Sequence, residues 1–202
     1  MRKIAVLIFP GFELLDVFGP MEMFGLLNDD FTLEFVSETL GAVPSNQGLA
    51  AYSTRTIETV QDDDIVFVPG GSGTRKAEKN PALLQWIAHS SARAEFTLSV
   101  CTGSLLLAKA SVLDGKRATT NKAAFQWVAD QRPQVNWVRQ ARWVEDGAFI
   151  TSSGVSAGID MALAVIAKTL GAETADKVAV LAEYDWHRDA AWDPFAKIHG
   201  LV

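Results

Sequence analysis

Cys101 is the only cysteine of the chain, and it lies in Phe96-Thr97-Leu98-Ser99-Val100-Cys101-Thr102-Gly103-Ser104-Leu105-Leu106-Leu107, where an apolar, β-branched run hands over to a Leu-rich helix former. A thiol at such a junction lies beside the unpaired N–H groups and the positive dipole end of a helix. Both favour the thiolate and draw the thiol pKa toward neutrality. Gly103 permits a sharp turn. A nucleophile on a strand–turn–helix elbow is how hydrolases push a reactive atom into a cleft. The ordinary alternative is a buried, inert cysteine, the commoner fate of a free thiol.

Two other loops qualify as partners. Asp16 lies near the start of the helix that follows an apolar strand at Ile4–Phe9, and Gly70-Gly71-Ser72-Gly73 follows a strand at Ile65–Val68. In an open parallel sheet functional groups gather at the carboxyl ends of strands, so these loops and Cys101 share one edge if the sheet is parallel. Asp16 next to a thiolate has its pKa raised by like-charge repulsion, and a protonated carboxyl donates to sulfur. Alone, it would only stabilise a helix start. The glycine loop offers N–H groups for a developing anion, or is merely a turn needing positive φ. It is no phosphate loop: Lys76 fits no Walker spacing and the glycines do not form G-x-G-x-x-G.

The elements that must position these groups follow from periodicity. Leu14–Leu27 reads as a buried helix interrupted early by Pro20, and Phe31–Val36 as a second strand. Val43–Ile57 reads as a small hairpin excursion at a sheet edge, Pro81–Ala92 as a helix with proline at its start, and Arg117–Thr120 as a short strand. Ala123–Val128 is a helix core. Trp137–Val144 and Phe149–Thr151 are strands around a turn at Glu145-Asp146-Gly147, and Ser156–Leu170 and Ala172–Leu181 are helices with Gly171 as a C-cap. Alternating strands and helices give an α/β sandwich with a mostly parallel sheet. Glu183–Val202 is an aromatic, charged tail (Tyr184, Trp186, His187, Trp192, Phe195) that must pack on the body or on a second subunit. Cover over core is the commoner role for such aromatics, and a pocket wall the alternative.

Composition narrows the classes. The 202 residues, 49% apolar and 21% charged with net charge −6, make one acidic domain and argue against nucleic acid or an anionic membrane as partner. One cysteine excludes an intrachain disulfide and a cysteine-built zinc site, so no metal is expected and a reducing cytoplasm fits. Arg2-Lys3 before Ile4–Phe9 resembles a signal peptide only until Pro10-Gly11, and no apolar stretch is long enough to span a bilayer. Asp62-Asp63-Asp64 reads as a solvated cap before a strand.

Four blocks together resemble the ThiJ/PfpI superfamily: Ile8-Phe9-Pro10-Gly11-Phe12-Glu13-Leu14-Leu15-Asp16-Val17-Phe18-Gly19-Pro20, Val68-Pro69-Gly70-Gly71-Ser72-Gly73, Ser99-Val100-Cys101-Thr102-Gly103-Ser104 and Ser153-Gly154-Val155-Ser156-Ala157-Gly158-Ile159-Asp160. Asp in the first block and the Cys-Thr-Gly-Ser turn resemble its isonitrile hydratase branch, a pair also found in amidase-like domains of certain transcription regulators. The resemblance implies a flavodoxin-like, three-layer fold over residues 1–202 and a homodimer. It also implies a nucleophilic Cys101, with Asp16 as acidic partner, Thr102 beside it, and oxyanion N–H groups from Gly71 and Thr102. Gly70 and Asn121 join these as candidates for contact with substrate. Many members carry histidine after the cysteine or after the downstream Thr-Thr pair, where this chain has Thr102 and Asn121. His89 reads as exposed in mid-helix, and His187 and His199 lie in the tail, so a Cys/His peptidase pair is disfavoured unless the tail folds back.

A thiol, a carboxylic acid and backbone donors suit addition of water to a small electrophilic carbon without cofactor. Isonitrile hydration through a Cys101 thioimidate leads. A glyoxalase or deglycase acting on methylglyoxal-type carbonyls is the enzymatic alternative, and a cysteine redox sensor the non-enzymatic one.

Overall fold

In a computed structural model, which describes residues 1–59 and 62–202, the short apolar runs become strands of one central sheet. The first half contains β1 (Arg2–Leu7), α1 (Leu14–Gly25), β2 (Phe31–Ser37), β3 (Gly41–Pro44), β4 (Ala50–Ser53), β5 (Arg55–Thr56), β6 (Ile65–Val68), α2 (Thr74–Ala77) and α3 (Pro81–Ser91). There follow β7 (Phe96–Ser99), α4 (Gly103–Lys109), β8 (Arg117–Ala118), α5 (Phe125–Gln131), β9 (Asn136–Trp137), β10 (Trp143–Asp146), β11 (Phe149–Ser152), α6 (Ala157–Leu170), α7 (Ala172–Leu181) and α8 (Phe195–Ile198). The sheet order is β10-β11-β7-β6-β1-β2-β5, and only β10 runs antiparallel to its neighbour.

Strands β6 and β7 are buried at every residue, as are Ile4–Leu7 of β1, because their side chains are apolar or small on both faces rather than alternating. Helices α1 and α7 pack on α6, and α3 packs on α4. This is the flavodoxin-like α/β arrangement. Strand β2 lies on one side of β1 and β6 on the other, so strand order reverses at β1. The crevice of such a sheet opens there, at the carboxyl ends. The loops after β1 and β6 meet at it, with Glu13 N–H donating to Gly70 C=O (2.9 Å) and Gly73 N–H to Gly11 C=O (3.0 Å).

Three expectations need correction. Helix α1 is not interrupted: it runs through Pro20 to Gly25. The missing N–H costs one bond, to the carbonyl of Asp16, but packing holds the helix. The Pro20 ring seats against Gly158 of α6, where a Cβ would lie 3.1 Å from that ring and 2.7 Å from a Val100 methyl. Trp137–Val144 is not one strand. Trp137 pairs with β8 in a separate two-stranded sheet and Trp143 begins β10 of the central one, while between them Ala141 N–H donates to Asp193 Oδ2 (3.3 Å) and Arg142 N–H to Ala190 C=O (2.7 Å). Nor are the three aspartates all a solvated cap: Asp62 is exposed as expected, but the other two are engaged. Asp63 is buried in a bidentate pair with Arg55 (3.0 and 2.7 Å), and Asp64 accepts the Lys3 N–H (2.8 Å).

The tail folds onto the body through buried charge. Asp160, without solvent exposure on α6, pairs with Arg142 and accepts Tyr184 O–H (3.1 Å) and His187 N–H (3.0 Å). The Arg142 guanidinium also lies over the Trp192 ring, which stacks on His187. Asp193 pairs with buried Lys122 at 3.2 Å. Removing one partner of such a pair strands the other charge in a dry interior. Asp160→Ala is therefore expected to lower unfolding stability by about 3–5 kcal/mol, read from the urea midpoint at unchanged m-value. A shift below about 1 kcal/mol would show that the pair does not hold the tail.

Candidate active site

Cys101 has left-handed backbone, φ 57°, at the turn between β7 and α4. That geometry costs an L-residue about 1–2 kcal/mol and persists only where neighbours fix it. Here the N–H groups of Val100, Cys101 and Gly103 and the Cys101 carbonyl are all engaged. Cys101 N–H donates to Ser153 C=O (2.9 Å), and its own carbonyl accepts Ser104 Oγ (3.1 Å) and Thr120 Oγ1 (3.0 Å). Val100 N–H donates to Val68 C=O (3.1 Å), and Gly103 N–H closes the turn on Val100 C=O (2.9 Å). Position 103 must be glycine, since a Cβ there would collide with the Val68 carbonyl. The elbow is thus clamped to β6, to the Thr119-Thr120 segment and to the end of β11.

Asp16 is wholly buried on the first turn of α1. Its Oδ2 accepts the Gly70 N–H at 2.8 Å, and Oδ1 is buried with no hydrogen-bond partner among the described residues. Burial pushes the carboxyl up to about 8; the Gly70 N–H opposes the shift, Glu13 adds to it, and the Cys101 side chain beside it opposes it weakly. The direction matches the reading from sequence, but the main cause is loss of water, and the like charge that adds to it is Glu13 rather than a thiolate. The thiol behaves in the opposite way to expectation. Burial, then Asp16, push Cys101 well above the ordinary thiol range, although the Thr102 N–H and hydroxyl and the Val155 N–H lie against the sulfur and favour its charged form. With Cys101 only 7% exposed, the elbow's N–H groups do not outweigh desolvation. Burial favours the protonated form of both groups.

The remaining candidates surround this pair. Gly70 N–H is engaged by Asp16, and Gly71 N–H by Thr102 Oγ1 (3.1 Å), so neither points freely into the site. Thr74 donates to Gly71 C=O (2.8 Å) and sits 3.2 Å from Thr102 Oγ1, holding loop and elbow together. Asn121 Oδ1 accepts Ala124 N–H (3.1 Å), and its amide faces Gly154. Thr74, Ser104, Thr120 and Ser153 were not singled out by sequence. Ser104 bonds a carbonyl only three residues back, a local pattern that could have been read, whereas the Thr120 hydroxyl reaches a carbonyl nineteen residues away and leaves no local signal. Val155, φ 29°, is a second strained residue beside the sulfur.

A cavity of about 250 Å³ adjoins, lined by Asn121, Ser153, Gly154, Val155 and, from the tail, Phe195 and His199. His89 is exposed on α3, and no histidine is among the groups that govern the thiol's ionisation. Among the described residues no cluster of His, Cys, Asp or Glu is set to hold a metal ion, and no helix is long and apolar enough to cross a membrane.

The Asp16 carboxyl sets a pH dependence with a definite sign. Unfolded, it ionises at about 4; folded, at about 8. Stability held below pH 4 is lost as pH rises toward 8, because only the unfolded chain gives up the proton. Relative to Asp16→Asn, wild-type stability is expected to fall across that window by up to about 1.4 kcal/mol per pH unit, measured by urea unfolding. A difference independent of pH would refute the buried acid.

Comparison with known proteins places this geometry. The model of the DJ-1/PfpI family matches residues 2–168. The chain is 36% identical over 183 residues to a protein named isonitrile hydratase from Pseudomonas putida, covering 90% of this chain and 78% of that one. It is 31% identical to the HTH-type transcriptional regulator CdhR of Pseudomonas aeruginosa, where the match covers 86% of this chain but only 52% of the regulator. Among solved structures, a ThiJ/PfpI family protein from Pseudomonas syringae superposes with a TM-score of 0.84 at 34% identity, over 92% of this chain and 76% of the other. A DJ-1 superfamily protein from Salmonella typhimurium superposes at 0.82 with 25% identity, over 92% of this chain and all of its own. The fold, the four sequence blocks and the family match agree: this chain belongs to the DJ-1/PfpI family.

Proposed function

We propose that the protein is a cofactor-free cysteine hydratase that converts an isonitrile to an N-substituted formamide, with Cys101 as nucleophile and Asp16 as the acid. The observation that carries the reading is a buried carboxyl, pushed up to about 8, beside the thiol on a clamped elbow. The terminal carbon of an isonitrile bears a lone pair and accepts a proton before or as a nucleophile adds. Asp16 delivers its proton to that carbon while Sγ forms the S–C bond, and the thiol proton passes to the carboxyl. The product is a thioimidate, R–N=CH–S. Water then adds at the same carbon, giving up one proton to the imine nitrogen. The C–S bond breaks as the new hydroxyl loses its proton to the sulfur, leaving R–NH–CHO and the free thiol.

Protein groups divide the work. Thr102 and Val155 N–H groups lie against the sulfur and stabilise the charge it carries during attack and departure. Gly70 positions the acid and Gly71 positions Thr102, so the oxyanion role expected of Gly70 and Gly71 becomes one of alignment. Burial of Cys101, which favours the neutral thiol, suits this concerted step and disfavours a redox sensor, which needs an accessible thiolate. Asn121 in the place of a histidine disfavours the glyoxalase reading. The proposal includes a homodimer and a cytoplasmic setting. Leu15 and Phe18, 43% and 42% exposed on α1, offer an apolar contact face, and a single free thiol suits a reducing compartment.

Purified protein is expected to form formamide from an alkyl isonitrile, with activity abolished in Cys101→Ala. Asp16→Asn should lower kcat/KM by about 10²–10⁴-fold. An active Cys101→Ala variant would sink the covalent route. The wild-type profile of kcat/KM should fall as pH rises through about 8, where Asp16 loses its proton. Activity that rises through that pH would mean the thiolate, rather than the acid, limits the reaction.

A further inference from the structure

The cavity beside Cys101 is walled by the C-terminal tail, and we propose that it receives the substituent of the electrophile, making Phe195, His199 and Asn121 specificity-determining residues. This rests on the reading of Cys101 as nucleophile toward a small electrophilic carbon. The link between cavity and sulfur is the segment Ser153–Val155. Its Ser153 carbonyl holds the Cys101 N–H at 2.9 Å, and the Val155 N–H favours the charged form of the thiol. The same residues form one side of the cavity. Cys101 itself does not line the cavity; under this proposal a group bonded to the sulfur is directed past this segment into it.

The lining defines the ligand class. Ala123, Val155 and Phe195 present apolar surface. Asn121 supplies the polar end: its Oδ1 is engaged by Ala124, while its Nδ2 donors have no hydrogen-bond partner among the described residues. Gly154 gives that amide its room, for a Cβ there would lie 2.8 Å from Nδ2. His199 adds a second polar group. At about 250 Å³ the cavity falls below the usual range of about 300–1,000 Å³ for drug-sized ligands. It fits one ring or a short branched chain with a hydrogen-bond acceptor at its far end.

The wall is held in place. Asp193 pairs with Lys122 at 3.2 Å and accepts Phe195 N–H at 3.1 Å, while Ala196 of α8 is buried against the body. Lys122 stands between Asn121 and Ala123, so one buried ion pair aligns the tail wall with the opposite side.

Two variants narrow the cavity from different elements: Phe195→Trp on the tail and Ala123→Leu at an exposed position of the body. With methyl and cyclohexyl isonitriles, each should reduce the cyclohexyl-to-methyl ratio of kcat/KM by about tenfold or more. Asn121→Leu should lower the preference for methyl isocyanoacetate over butyl isonitrile by a similar factor. Equal effects on both substrates of each pair would overturn the proposal. A second readout separates it from the hydratase reading: the rate at which iodoacetamide and N-benzyl iodoacetamide alkylate Cys101, followed by intact mass. If isonitriles are not turned over but the narrowing variants selectively slow the benzyl reagent, the hydratase reading fails and the cavity assignment stands. If isonitriles are turned over and neither ratio moves, the cavity assignment fails.

Discussion

Burial of the Asp16 carboxyl is the constraint on which the site depends. A carboxylate in a dry interior needs full hydrogen bonding or a counter-charge. This one has a single N–H, from Gly70, and no cation among the groups that govern its ionisation. The proton stays on instead. Everything that excludes water contributes to that outcome: α1 pressed against α6 at Gly158, the β6 loop closed over the α1 turn, and the Cys101 elbow beside them. Burial thus favours the protonated form of the acid and of the thiol beside it.

The helix start behind Cys101 does not reverse this. Helix α4 has seven residues, and the Thr102 N–H that favours the thiolate is outweighed by loss of water and by Asp16. What the elbow does provide is position. The strained φ of Cys101 is maintained by hydroxyls and carbonyls from three separate elements. Rigidity of this kind aligns sulfur, acid and backbone donors without reorganisation during reaction.

Much of this was legible in the chain. Continuous apolar runs marked the parallel strands, and their carboxyl-end loops placed Asp16, Gly70-Gly71 and Cys101 on one edge. Sequence could not show how far each group was from water, so the thiol's shift was read with the wrong sign and the acid's with the wrong cause. Pro20 illustrates the same limit: local propensity ends a helix there, but contact with Gly158 carries it on. Asp63 looked like surface charge, and only tertiary structure supplies Arg55 as its partner, as it supplies Lys122 to Asp193. The tail, composed as a cover, proves to be both cover and cavity wall, because Asp193 turns α8 toward Asn121.

The account therefore stands on one proton. Carboxyl-carbon NMR of protein labelled at aspartate, with the Asp16 resonance assigned by its loss in Asp16→Asn, follows that proton directly through a pH titration. The structure predicts a midpoint of about 8, with the acid form dominant at neutrality. A midpoint near the ordinary aspartate value of about 4 would contradict it, and with it the role of Asp16 as proton donor.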